Sequence, residues 1–126
     1  MKIDYLKTYE EILLEVNNNM PSMNFLKGIL KNNLYARLTK DQLKKIKDMY
    51  IVGSYAKGTY NENSDIDIAV IMEPIKNKTS LQFTEYFHSK YKTDKAKPKF
   101  NGKIIDFQFF WTTDNMWKKY SKIKII

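Results

Sequence analysis

The chain has no cysteine, which excludes disulfides and thiolate metal centres. It has no run of about 18 apolar residues, so no membrane span is expected. The opening Met1-Lys2-Ile3-Asp4-Tyr5 lacks the apolar core of a secretory signal, and a cytoplasmic location is expected. Histidine is nearly missing. The one present, His88, falls on a predicted helix without a partner motif and reads as a surface or partly packed residue. Arginine is equally scarce: Arg37 is the one arginine among 22 basic residues. Against 14 acids the net charge is +8, which favours anionic partners. Lysine in place of arginine also fits AT-rich coding and ordinary solvated helix faces. Nucleic acid is therefore a possible but not a favoured substrate. No internal repeat or low-complexity segment occurs.

Glycine is rare as well, with four in 126 residues. Two of these stand in one short stretch, Gly53-Ser54-Tyr55-Ala56-Lys57-Gly58, directly after the apolar run Met49-Tyr50-Ile51-Val52. Glycine permits positive φ and lets backbone approach a ligand closely. Amides after such a turn can hold an anion, more so where a helix begins. If that anion is a phosphate, the Ser54 hydroxyl is expected to donate to it and the Lys57 ammonium to reach it as a point charge, while Gly58 keeps the turn uncrowded.

Two carboxylates follow, in Asp65-Ile66-Asp67-Ile68-Ala69-Val70-Ile71-Met72. The β-branched content predicts a strand. Side chains alternate along it, so Asp65 and Asp67 share one face while Ile66, Ile68 and Val70 take the other. Two like charges this close repel by about 1 kcal/mol in water and by more when half-buried. A divalent cation between them reverses that, and oxygen-only ligands favour Mg²⁺ or Mn²⁺. Without metal, at least one of the pair should have a raised pKa. A second strand, Lys103 to Phe110, brings Asp106 in phase with Ile104 and Gln108, with Ile105, Phe107 and Phe109 opposite. If the two strands are neighbours, Asp106 can join Asp65 and Asp67 around one point. Asp106 is also the candidate to accept a proton from an attacking hydroxyl.

Gly53-Ser54 followed by Asp65-Ile66-Asp67 resembles the signature of the polymerase-β-like nucleotidyltransferase superfamily. The stretch from Val52 to Ile68 is most similar to its small, stand-alone minimal nucleotidyltransferases. The resemblance covers about residues 50–73 and extends to Asp106. It implies that Asp65, Asp67 and Asp106 form a catalytic and metal-binding triad. It further implies that Gly53 and Ser54 hold the triphosphate of ATP or another nucleoside triphosphate; Lys57, Gly58 and Ser64 are further candidates for the nucleotide site. Many relatives have arginine where this chain has Lys57, so bidentate phosphate recognition is lost there. Minimal members are often paired with a helical HEPN toxin, as antitoxins that AMPylate a toxin tyrosine. Small-molecule, antibiotic-type transfer and a non-catalytic nucleotide-binding role stay open, as do homo- and hetero-oligomers.

The remaining pattern is helical. Tyr5, Leu6, Tyr9, Ile12, Leu13 and Val16 predict one helix. Ser22 caps a second with a stripe of Phe25, Leu26, Ile29, Leu30 and Leu34. Thr39 with Gln42 opens a third that turns Leu43, Ile46 and Met49 to the core. Thr79 with Gln82 opens a fourth carrying Phe83, Phe87 and Tyr91. Pro98 and Asn101-Gly102 make the lysine-rich stretch from Lys92 to Lys103 a loop and hairpin turn. Thr113-Asp114 opens a short C-terminal helix with Met116, Trp117 and Tyr120. The expectation is one α/β (or α+β) domain over residues 1–126: a helical segment 1–49, a catalytic sheet region 50–112 and a tail 113–126. Its mixed sheet has helices on one face and acids on the other.

Overall fold

The computed structural model describes residues 21–125. The helix expected over residues 5–16 lies outside them. Helix α1 (Met23–Arg37) starts where the Ser22 hydroxyl accepts from the Phe25 amide. Its stripe of Leu26, Leu30 and Leu34 is buried, with Phe25 and Ile29 flanking it. The buried Asn33 on α1 is satisfied by the Tyr91 hydroxyl, which donates to its carbonyl oxygen. Thr39 and Gln42 form both arms of a capping box at the start of α2 (Lys40–Lys44).

The third helix ends much earlier than its periodicity suggests. From Ile46 the chain is strand β1 (Ile46–Val52), so the helical segment does not reach residue 49. The reason is tertiary. Ile46, Met49, Tyr50, Ile51 and Val52 pair antiparallel with β2 (Ile66–Met72) along its length, and that pairing overrides a short helical pattern. Met49 still reaches the core, because it alternates with Ile51 on the buried face.

After α3 (Gly53–Lys57) and β2, helix α4 (Ser80–Ser89) begins with a second complete capping box, Thr79 with Gln82. It leads to β3 (Lys99–Phe100) and β4 (Lys103–Trp111), joined by a hairpin turn at Asn101 and Gly102. Both turn residues have positive φ, 51° and 78°, as the Asn-Gly pair anticipates. The expected C-terminal helix is absent. One 3₁₀ turn, Trp117–Lys119, leads instead into β5 (Ile123–Lys124), which pairs with β1. Alternation wins there: Ile123 and Ile125 point inward around exposed Lys124.

The sheet runs β3-β4-β2-β1-β5, with β2 and β4 parallel and the other pairs antiparallel. Its helix-covered face carries Ile66, Ile68, Val70, Ile105, Phe107 and Phe109, all essentially buried, as the phase of the two strands requires. Phe83 and Phe87 of α4 wedge onto Phe109 with ring centroids 4.9 Å apart in each case. Full burial of each such ring is worth about 1.5–3 kcal/mol. The opposite face is divided. Val52, Ala69, Ile71 and Phe110 form a small apolar cluster under Tyr50, Trp117 and Tyr120. The remainder of that face carries Asp67, Asp106 and Gln108. Among the described residues, no helix is long and apolar enough to cross a membrane.

Candidate active site

The site grows from the end of β1. Val52 is extended, and Gly53 then turns with φ +70° into the five-residue α3. Two facts require glycine there. One is the φ. The other is clearance: a Cβ at residue 53 would lie 2.6 Å from Oδ2 of Asp67. The turn and the carboxylate are therefore in contact. Tyr55 and Ala56 anchor α3 in the core. The Tyr55 ring stacks on Tyr60 at 4.3 Å, and its hydroxyl accepts from Lys103 Nζ at 2.7 Å. Tyr60 is thus a packing partner of the turn. Gly58 closes α3 in the left-handed conformation, φ 76°, and its amide bonds the Ser54 carbonyl. The outward side chains are half-buried Ser54 and exposed Lys57.

Strand register does the rest. One row across the sheet reads Val52, Asp67, Asp106, since Asp67 is opposite Val52 on β1 and beside Asp106 on β4. Asp106 lies on the polar phase of β4 with Ile104 and Gln108, as expected. Burial raises the Asp67 carboxyl to about 6, and the negative charges of Asp106 and Asp65 push the same way. The metal-free expectation of one elevated carboxyl is met at Asp67. Asp65 stands just ahead of β2 and is exposed. Ser64 holds the preceding turn: its hydroxyl accepts from the Asn61 amide at 2.9 Å. Ser64 thus closes the turn that leads into Asp65.

Among the described residues, the acids and imidazole do not close into a finished three-ligand cage. Asp67 and Asp106 adjoin, while Asp65 approaches from the loop. The donor set itself suits a hard divalent cation, being oxygen-only. Among the described residues, no lysine or arginine lies within ion-pair distance of the three acids. The partner that Asp106 does have is His88, whose Nε2 is 3.3 Å from Oδ1.

Among the described residues, two clefts border these acids. A cleft of about 150 Å³ is lined by Val52, Gly53, Lys57, Asp67, Gln108, Tyr120 and Ser121. It brings the glycine turn, the lysine and the carboxylate together. A larger one, about 460 Å³, holds Asp106, His88 and Glu85 beside Leu81, Phe110 and Met116. Gln108 and Tyr120 border both. Sequence reasoning left out Gln108, although its phase with Asp106 was a usable signal. It also missed Tyr120 and the contact of His88, neither of which has a sequence signal.

The nucleotidyltransferase-domain family model matches residues 36–126, which is most of the chain. The chain belongs to the nucleotidyltransferase domain family. A segment of 42 residues is 45% identical to protein adenylyltransferase MntA of Shewanella oneidensis. That match covers 33% of this chain and 30% of the relative, so the chain spans well under two thirds of that protein's length. A solved structure from Sulfolobus solfataricus, described as a candidate nucleotidyltransferase, superposes with a TM-score of 0.51 at 18% identity. It covers 86% of this chain and 90% of its own, and it supports the fold. The family match makes the chain an enzyme of the nucleotidyltransferase class.

Proposed function

We propose that this nucleotidyltransferase moves a nucleoside monophosphate, AMP from ATP, onto a hydroxyl of a protein acceptor. The observation that carries the reading is the contact between the Gly53 turn and Asp67, with Asp106 beside Asp67 in the same row. The glycine bend and Asp67 then face one small cleft, and Asp106 faces the larger one next to it.

Gly53 and Ser54 would take the triphosphate on backbone amides and hydroxyl, with Lys57 adding a point charge from the same cleft. Asp65, Asp67 and Asp106 would hold Mg²⁺ or Mn²⁺, which supplies charge neutralisation along the phosphates. Gly58 serves by closing α3, and Ser64 by placing Asp65. The acceptor oxygen bonds to the α-phosphorus as the bond to the pyrophosphate oxygen breaks. Asp106 receives the hydroxyl proton, and pyrophosphate leaves with the electron pair. The larger cleft, with Asp106 in its wall and Leu81 and Met116 at its rim, suits an acceptor side chain with an apolar body. A protein tyrosine fits that description. The partial similarity to a protein adenylyltransferase supports a protein acceptor, and a HEPN-type toxin in a cytoplasmic toxin–antitoxin pair is the partner we favour.

The test uses ATP labelled at the α-phosphate. Wild type should label a co-purifying protein in the presence of Mg²⁺, with mass spectrometry locating AMP on tyrosine. Asp65→Asn combined with Asp67→Asn should abolish labelling while circular dichroism stays unchanged. Undiminished labelling in the double variant would refute the assigned roles. AMP on a small molecule instead would replace the protein acceptor.

A further inference from the structure

We infer that His88 is a positioning residue for Asp106, an inference that rests on the nucleotidyl-transfer reading above. His88 Nε2 lies 2.6 Å from the Phe107 carbonyl oxygen and 3.3 Å from Asp106 Oδ1. A backbone carbonyl only accepts, so Nε2 carries its hydrogen and donates it to Phe107, with Asp106 Oδ1 as a second, longer contact of the same N–H edge. The side chains of His88 and Asp106 are 30% and 28% exposed, so water competes only in part for that bond.

The placement comes from a match between helix and strand. One turn before His88 on α4, Thr84 accepts from the Phe109 amide at 2.9 Å. Residues four apart on a helix rise by about 6 Å, and residues two apart on a strand by about 6.6 Å. Thr84 and His88 therefore reach Phe109 and Phe107 in step, along the edge of β4 that β3 leaves uncovered. Edge capping alone would need only the Phe107 bond. The contact with Oδ1 is additional. It would fix the rotation of the Asp106 carboxylate and leave Oδ2 turned toward the metal position and the attacking hydroxyl. Reaction geometry is sensitive at this level, since a misplacement of about 1 Å can cost on the order of a hundredfold in rate.

His88 is the one histidine in the chain, so its imidazole nitrogens can be observed by ¹⁵N NMR without overlap. At about pH 9 the spectrum should show the tautomer with hydrogen on Nε2. Hydrogen on Nδ1 would overturn the inference. Kinetics supply the functional half, read as pyrophosphate release and protein labelling with ATP. His88→Phe keeps the ring volume and removes the donor. It should lower kcat about tenfold with KM for ATP within about twofold, and His88→Gln, which restores an N–H, should recover most of the loss. Equal loss in both variants in proportion to their melting temperatures, or an unchanged kcat in His88→Phe, would overturn it. A wild-type chain that turns over no ATP overturns the transfer reading and this role with it. The tautomer result then stands as a statement about the fold, so the two failures are distinguishable.

Discussion

At the residue scale, Gly53 and Asp67 form one unit. A methyl group at residue 53 meets Asp67 Oδ2 at 2.6 Å, and φ +70° is unfavourable for any L side chain. Gly53→Ala should therefore lower stability by about 1–3 kcal/mol and transfer by on the order of a hundredfold. Urea unfolding and α-labelled ATP measure the two effects. Asp67 also sets a pH dependence. Its folded pKa of about 6 lies above its unfolded value, so the folded chain binds the extra proton. The associated stability is fully present below about pH 4 and is lost as pH rises through about 6. Allowing for solvent screening, that loss is on the order of 1–2 kcal/mol. Unfolding curves between those pH values, in EDTA, should show the decline in wild type and a flatter profile in Asp67→Asn. Added Mn²⁺ should bind more tightly as pH rises through the same range, because binding requires the ionised form. Much of this residue-scale picture was legible. Gly53, Asp67 and Asp106 declared themselves through residue type and strand phase. His88 did not, because its contact depends on the register of α4 against β4, which no local pattern encodes.

At the scale of elements, capping chemistry was the most readable feature. Ser22, Thr39 and Thr79 begin α1, α2 and α4 where their side chains predict. Capping marks where a helix starts but not where it ends, and α2 shows the difference. Leu43, Ile46 and Met49 have helical spacing, yet Ile46 and Met49 belong to β1 because β2 offers a full-length partner. The tail was misread for a related reason: β5 is two residues long and exists only as a neighbour of β1. The aromatic wedge of α4 gives the element-scale test. Phe87 is fully buried against Phe107 and Phe109. Phe87→Ala should cost about 3–5 kcal/mol in chemical denaturation. A loss below about 1 kcal/mol would mean that α4 is not held by this contact.

At the scale of the whole molecule, the sheet separates two tasks. One face is apolar and carries the helices; the other divides between a small apolar patch and the acids. The first division follows from strand phase and was anticipated. The second was not, since Trp117 and Tyr120 reach the sheet only through the turn that replaces the expected helix. That turn completes both clefts by supplying Tyr120, which lines each of them. The most direct measurement is the rate of AMP transfer from α-labelled ATP by wild type and by Asp106→Asn, at saturating Mg²⁺ and with matched melting temperatures. The expected result is a loss of at least about a hundredfold with ATP still bound by calorimetry. A variant that transfers AMP within about twofold of wild type would contradict the role of the Asp67–Asp106 row.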